Sequence, residues 1–195
     1  MKRAAALAIV AALLLAACKE ESPVVLTPEQ QKLLASPGIE VNAIVEKVLP
    51  EATELLTISE AEVLASGRAL TKEEIQLGLD LGVMLPEQVR VATRERFPMP
   101  RDPRIGALAA ERGLVFGTPE ELARTQGHGI LLKPEVAQSR EVLAHELVHV
   151  AQYEKARFIE DFLRRYLIEL LTVGYTAAPM EQEARALSAK ALKEQ

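Results

Sequence analysis

The sequence is poor in cysteine and in aromatic residues. Its 195 residues include one cysteine and no tryptophan, and aromatic residues make up 4% of the chain. A single cysteine excludes an intramolecular disulfide. With so few aromatic side chains, the core must consist mostly of Leu, Val, Ile and Ala, which favours helices. The length is suited to one domain.

An excess of basic side chains is also missing. The chain has 23 Lys and Arg residues against 28 Asp and Glu residues, for a formal net charge of −5. Nucleic-acid binding draws much of its affinity from Lys and Arg side chains that release counterions from the phosphate backbone. The acidic balance therefore argues against nucleic acid as a partner.

The longest apolar run lies at the N-terminus and is too short to span a bilayer comfortably. Lys2 and Arg3 precede an uncharged stretch, residues 4–17, which has the length of a secretory h-region. The stretch leads into LAAC at residues 15–18, which resembles the lipobox of bacterial lipoproteins. That resemblance implies cleavage before Cys18 and lipidation of this cysteine. A plain signal peptide, or an amphipathic helix of the fold, is the alternative interpretation.

The lipobox divides the chain into three parts. Residues 1–17 are the expected signal peptide, residues 18–28 the lipidated cysteine with a polar, proline-bearing tether, and residues 29–195 a single domain. Lys19 follows the cysteine, where an aspartate is associated with retention in the inner membrane. In a Gram-negative host the resemblance therefore implies an anchor in the outer membrane, facing the periplasm.

Periodicity and breaker residues predict a predominantly helical α+β domain with a small sheet. Helices are expected at residues 28–34, 41–49, 59–64, 72–82, 139–154, 158–171 and 179–193, with a further short one opening at residues 118–121. Strands are expected at residues 89–91, 114–116 and 129–133, and a loop at residues 94–106. Pro50 is expected to end the second helix, and Gly174 to end the helix before the last.

Two of the three histidines lie four residues apart in HELVH, residues 145–149, on a predicted helix. Residues four apart differ by about 40° around a helix and about 6 Å along it. The imidazoles of His145 and His149 can therefore bind one zinc ion (Zn²⁺). Glu146 is placed to take the proton of a water activated by the metal without being a ligand. Alternatively, the histidines line the polar edge of an ordinary helix. The apolar neighbours argue against this alternative, because they indicate that the histidines are at least partly buried. Buried histidines need hydrogen-bond or metal partners.

A third ligand must come from elsewhere, because no histidine follows His149. The nearest downstream carboxylates on a well-marked helix lie in APMEQEARA, residues 178–186, where the helix dipole favours a carboxylate in the first turn. Glu181 and Glu183 are both candidates. Glu183 lies on the helix face expected to turn inward, and Glu181 lies near the edge of that face. Both could instead belong to a solvated acidic turn.

Together these motifs resemble the glutamate-zincin (gluzincin) metallopeptidases. They resemble more closely a group of small, largely uncharacterised bacterial proteins with HELxHxxQ followed by a GY…PxExEA segment. The matching residues are His145, Glu146, Leu147, His149 and Gln152, then Gly174, Tyr175, Pro179, Glu181, Glu183 and Ala184. The resemblance implies a minimal zincin-like domain with Glu181 as the third zinc ligand. Glu183 is the alternate ligand or a hydrogen-bond partner of a ligand. Arg185 stands where the gluzincins have an aspartate that orients a ligand histidine.

Two further features concern the substrate. Tyr175 follows Gly174, so its hydroxyl could point toward the metal and stabilise the oxyanion of the reaction; it could equally be a tyrosine of the core or rim. In zincins the strand before the active-site helix pairs with an extended substrate. The resemblance therefore implies a substrate-binding edge, formed by Ile130, Leu131 and Leu132.

The expected function is that of a membrane-anchored, zinc-dependent metallopeptidase that hydrolyses peptide or protein substrates in the bacterial cell envelope. The alternative is a non-catalytic envelope lipoprotein with a zincin-like fold that acts as a binding or assembly module. Glu146 argues against this alternative, because a purely structural zinc site has no use for a general base.

Overall fold

The computed structural model describes residues 24–111 and 120–194. Within these ranges the chain forms seven α-helices and one four-stranded mixed sheet, which confirms the predicted, predominantly helical α+β class. The helices are α1 (Pro28–Ala35), α2 (Ile39–Ser66), α3 (Lys72–Asp80), α4 (Pro103–Glu111), α5 (Arg140–Lys155), α6 (Ile159–Ala177) and α7 (Pro179–Lys193). The strands are β1 (Arg68–Ala69), β2 (Arg90–Thr93), β3 (Ala123–Gln126) and β4 (Gly129–Leu132). No helix in the described ranges is long and apolar enough to cross a membrane.

The strand order in the sheet is β1-β2-β4-β3. Strands β2 and β4 are parallel, and the other two pairs are antiparallel. A two-residue turn, Gly127 and His128, joins β3 to β4. Gly127 has a φ of +63°, which suits the first position of a type II′ hairpin turn. A Cβ atom at this position would lie 1.9 Å from the Glu60 carboxylate of α2, so the Glu60 side chain would have to shift to admit any other residue.

Alternate side chains of the sheet face two different helices. One core cluster joins the sheet to α5 and includes Val91, Ile130, Leu132, Leu143 and Leu147. A second cluster joins the opposite face of the sheet to α2 and consists of Val63, Ala92, Phe97 and Leu131. The period-2 alternation of a strand thus gives the sheet two buried faces. Helix α5, which carries HELVH, is fixed by its apolar face against one of them.

The prediction that Pro50 ends a helix is wrong. Pro50 lies inside α2, which runs continuously over both of the segments predicted as separate helices. An interior proline destabilises a helix by about 3 kcal/mol. Val45, Leu49 and Leu56 lie before and after the proline, and all three are buried in a cluster with residues of α6. Each such side chain contributes about 1.5–3 kcal/mol. Tertiary packing therefore outweighs the proline.

Two other local predictions are wrong. Helix α4 begins at Pro103, inside the segment expected to be loop; proline is well suited to a first helical position because its missing N–H is not needed there. The helix expected to open at residues 118–121 is not present in the described part of that segment, and β3 follows it. Pairing with β4 supplies the backbone hydrogen bonds of β3. The predicted strand at residues 114–116, the signal peptide and Cys18 lie outside the described residues.

The predicted starts and breaks of the other helices are confirmed. Thr27 and Thr71 form capping boxes at the starts of α1 and α3. Residues 156–158 separate α5 from α6. Gly174 has a φ of +77° and breaks the helical geometry near the end of α6. The last helix begins at Pro179, as expected, and this start sets the position of the acidic segment that follows.

Candidate metal centre

Helix α5 holds the two motif histidines side by side. Its N-cap is Ser139, whose hydroxyl accepts a hydrogen bond from the backbone N–H of Val142. Leu147, between the histidines, is fully buried in the cluster on the sheet. The Nε2 atoms of His145 and His149 lie 3.1 Å apart, which agrees with the convergence predicted from the four-residue spacing.

Helix α7 brings Glu181 to these histidines. One carboxylate oxygen, Oε1, lies 3.2 Å from Nε2 of His149, and the other, Oε2, lies 3.3 Å from Nε2 of His145. Glu181 is 1% exposed. The ligand atoms of the three side chains all lie within 4.8 Å of one another. The three residues could therefore hold a metal ion.

The donor set fits zinc. Two imidazole nitrogens and one carboxylate oxygen are the ligand types of catalytic zinc sites, which leave one position open. The Oε2 atom of Glu181 is buried and forms no hydrogen bond with the described residues, although Nε2 of His145 lies 3.3 Å and the guanidinium of Arg185 lies 3.6 Å from it. Such an atom is unfavourable unless a donor or a cation satisfies it. A bound cation would satisfy it.

Without a metal, His149 and Glu181 form a buried ion pair. Burial by itself would lower the pKa of His149. The charge of Glu181 and its hydrogen bond to the imidazole, helped by Glu146 and Gln152, raise this pKa to about 9. Burial would likewise raise the pKa of Glu181, but the two histidines hold it well below its ordinary value. Without a metal, the proton on His149 thus supplies the positive charge that a bound metal would otherwise supply.

Glu183 lies outside this group. Its Oε2 atom accepts a hydrogen bond of 2.9 Å from the amide of Gln152, and its side chain is 40% exposed. The Oε1 atom of Gln152 lies 2.8 Å from Nδ1 of His149. Of the two predicted candidates for the third ligand, the fold therefore brings Glu181 to the histidines. Glu183 is linked to His149 through the side chain of Gln152.

Glu146 is buried beside the histidines and is held by the sheet. It is 6% exposed, and its Oε2 atom accepts a hydrogen bond of 2.6 Å from the hydroxyl of Thr125 in β3. The same hydroxyl lies 3.0 Å from the backbone carbonyl of Glu146. The contact with Thr125 depends on the strand order, and no motif in the sequence pointed to it.

Two tyrosines of α6 lie near Glu181. The hydroxyl of Tyr166 donates a hydrogen bond of 2.8 Å to Oε1 of Glu181. Its ring makes an edge contact with His149. The sequence offered only a weak signal for Tyr166, a tyrosine among the apolar positions of an amphipathic helix. Tyr175 is 43% exposed, and its ring contacts the guanidinium of Arg185. Partial burial, and then the charge of Glu181, raise the pKa of Tyr175 above its ordinary value.

The first turn of α7 is capped from α6. The N-cap residue of α7, Ala178, has no side chain that could accept a hydrogen bond from the helix. Glu169 supplies this acceptor: its Oε2 atom accepts a hydrogen bond of 2.7 Å from the backbone N–H of Met180. The Nε–H group of Arg165 donates a hydrogen bond of 2.9 Å to the other carboxylate oxygen of Glu169. This tertiary cap fixes the turn that carries Glu181, and the local capping patterns of the sequence do not reveal it.

The predicted substrate edge is wrong. Strand β4 is paired on both sides, with β2 and with β3, and Ile130, Leu131 and Leu132 are at most 2% exposed. These residues belong to the core and have no free backbone edge. No described strand pairs with the outer edge of β3. His128 lies in the hairpin turn and contacts carboxylates of α2 and α5, outside the metal-binding group.

Residues 118–157 match the eCIS core domain family. That family is associated with zincin-like metallopeptidases. The eCIS core match spans β3, β4 and α5, so it includes the HELVH motif and Gln152 but ends before Glu181. Comparisons with curated proteins and with solved structures gave no match.

Proposed function

We propose that this protein is a zinc-dependent metallopeptidase that acts on extended peptide or protein segments. The observation that carries the proposal is the convergence of His145, His149 and Glu181 on one point, with the buried carboxylate of Glu146 on the same helix. The eCIS core match over the motif helix supports it. In this proposal the first three residues hold the metal, and Glu146 is the general base.

A zinc ion in this site would supply a Lewis acid that activates water and polarises a peptide carbonyl. Glu146 takes the proton of the attacking water and passes it to the leaving amine. The hydroxyl of Thr125 keeps the carboxylate of Glu146 in one orientation. Tyr175, at the rim near Glu181, donates a hydrogen bond to the oxyanion that develops on the substrate. The burial of Glu146, His149 and Glu181 strengthens the electrostatic interactions among these three side chains.

We assign substrate binding to β3 instead of β4. The backbone N–H of Lys133 donates to the carbonyl of Leu122, so these two residues form a hydrogen-bonded pair of the antiparallel β3–β4 ladder. Bonded and non-bonded pairs alternate in an antiparallel ladder, so the backbone groups of Ala123 and Thr125 point to the outer edge of β3. An extended peptide that pairs with this edge would run past Thr125 and hence past Glu146.

We also propose that the enzyme is tethered to the envelope membrane by a lipid on Cys18, in the outer membrane and facing the periplasm. The support for this part is the LAAC pattern after a basic start and an apolar stretch. Mass spectrometry of the membrane fraction tests it. A diacylglyceryl-modified N-terminal Cys18 is expected, and the Cys18→Ser variant should lose both the modification and the membrane association. An unmodified N-terminus contradicts the anchor and leaves the metal site untouched.

Metal analysis and peptide hydrolysis test the enzymatic proposal. The purified protein should bind about one zinc per chain, and it should cleave unfolded or fluorogenic peptides. Glu146→Gln should keep the zinc and lose the hydrolysis. Glu73→Gln, a change at an exposed position on α3, is the matched control and should keep both properties.

Absence of bound zinc from the wild-type protein would refute the proposal. Zinc binding without hydrolysis, or hydrolysis that survives in Glu146→Gln, would refute the catalytic part. A zinc-loaded protein without hydrolysis would instead agree with a binding or assembly module.

A further inference from the structure

Gln152 lies between the two helices that carry the metal-binding group. It is 6% exposed and belongs to α5, one turn after His149. Its Oε1 atom lies 2.8 Å from Nδ1 of His149. Its Nε2 atom donates to the backbone carbonyl of Met180 at 3.0 Å and to Oε2 of Glu183 at 2.9 Å. One side-chain amide thus connects a histidine of α5 to the first two turns of α7.

The partners on α7 determine which way this amide faces. The carbonyl of Met180 and the carboxylate of Glu183 are both acceptors, so both require the NH₂ group of Gln152. The amide oxygen must then be the atom beside His149. An oxygen can only accept, so Nδ1 of His149 carries a proton and donates it. In the zinc-loaded protein, the other ring nitrogen, Nε2, is then the atom that can offer its lone pair to a metal ion at the point between His145 and Glu181.

We propose that Gln152 is the positioning residue for the zinc ligand His149, and that Glu183 fixes the orientation of Gln152. The inference rests on the proposed zinc site. It assigns a role to the glutamine of HELxHxxQ and to the second glutamate of ExE, neither of which touches the metal-binding point. Orientation of a ligand histidine by such a partner is worth about 10–100-fold in metal affinity.

Arg185 takes no part in this relay. The gluzincins place there an aspartate that orients a ligand histidine, but arginine has no acceptor for an imidazole N–H. The guanidinium of Arg185 donates instead to the backbone carbonyl of Thr176 at 2.6 Å, and it lies 3.6 Å from Oε2 of Glu181. The acceptor for His149 comes from Gln152 on its own helix.

Zinc affinity measured by competition with a chromophoric chelator tests the relay. Gln152→Met keeps the length of the side chain and removes the amide, and it should weaken zinc binding about 10–100-fold. Glu183→Gln keeps an oxygen that accepts from Gln152 and should bind zinc as the wild type does. Glu183→Ala removes that oxygen and should weaken binding, by a smaller factor than Gln152→Met. The control is Gln182→Ala, since the NH₂ group of Gln182 donates to the backbone carbonyls of Val24 and Ala177, away from the histidines.

Proton NMR of the zinc-loaded, ¹⁵N-labelled protein separates positioning from simple packing. The Nδ1–H proton of His149 should give a slowly exchanging downfield signal in the wild type. This signal should be lost or exchange rapidly in Gln152→Met. Thermal unfolding of the chelator-treated variants identifies any general loss of structure.

The outcomes distinguish this inference from the proposed function. A wild-type protein that binds zinc, together with a Gln152→Met variant that is folded and binds zinc equally tightly, overturns the relay alone. A protected His149 signal in that variant also overturns it. A wild-type protein that binds no zinc overturns both the relay and the proposed function.

Discussion

Removal of the tertiary cap on α7 should destabilise the protein and weaken the metal site together. Glu169 on α6 accepts a hydrogen bond of 2.7 Å from the backbone N–H of Met180, one residue before Glu181. Glu169 is 4% exposed, so water does not replace it readily when it is removed. Glu169→Ala leaves a buried N–H without a partner at the start of the helix.

The contacts of Glu169 set the expected magnitude. A buried backbone donor left unpaired costs about 1–3 kcal/mol. Loss of a negative charge at a helix N-terminus adds about 0.3–1 kcal/mol. The ion pair with Arg165 adds less than about 1 kcal/mol, because the arginine side chain is 60% exposed. Glu169→Ala should therefore lower the free energy of unfolding by about 2–4 kcal/mol. Glu169→Gln keeps an acceptor oxygen and should cost about 1 kcal/mol.

Denaturant unfolding of the chelator-treated protein at neutral pH measures this loss, and chelator competition measures the zinc affinity of the same variants. Glu160→Ala, an exposed position in the first turn of the same helix, is the matched control. Zinc affinity should fall in Glu169→Ala, because the turn that carries Glu181 loses its fixed start. The reasoning is refuted if Glu169→Ala costs no more than Glu160→Ala, or if it is destabilised while its zinc affinity is unchanged.

Three further predictions follow from the same contacts. The pKa of His149 is raised from 6.5 to about 9 in the folded, metal-free protein, so the stability it contributes is complete below pH 6.5 and is lost as the pH rises through 9. Denaturant unfolding in chelator should show a loss of roughly 3 kcal/mol over that window, and a flat profile would contradict the ion pair with Glu181. Gly127→Ala forces a side chain into a left-handed conformation and against Glu60. This substitution should lower the free energy of unfolding by about 1–3 kcal/mol, and an unchanged melting temperature would contradict the hairpin geometry. Tyr166→Phe removes the hydroxyl that donates to Glu181 and should cost about 1.5–3 kcal/mol in the metal-free protein; a loss below about 0.5 kcal/mol would show that this bond is not formed.

The motif helix was predictable because its signals are local. Apolar periodicity fixed the face of α5 that packs on the sheet, and the four-residue spacing then placed both histidines on one point. The starts of α1 and α3 were predictable for the same reason, since each capping box lies within four residues. Pro50 shows the limit of local signals: an interior proline predicts a break, yet α2 continues because its residues on both sides are buried against α6.

The strand that borders the candidate metal centre was not predictable from the chain alone. The segment before α5 was correctly identified as a strand, but the sequence does not show which strands lie on either side of it. The short segment ARTQ gave no strand signal of its own. It becomes β3 because β4 supplies its hydrogen bonds, and it takes the outer position that β4 was expected to have.

By itself, then, the sequence determined the α+β class, the motif helix and a short acidic segment, residues 181–183, from which a third ligand could come. Only the tertiary structure decided between Glu181 and Glu183, and only it brought Thr125, Tyr166 and Glu169 to the site. The reason is physical. Periodicity and capping act within one or two helical turns, so a sequence reveals them directly. The rotation of α7 against α5 is set instead by the break at Gly174, the cap from α6 and the amide of Gln152. These contacts join residues that are distant in the chain and exist only in the folded protein.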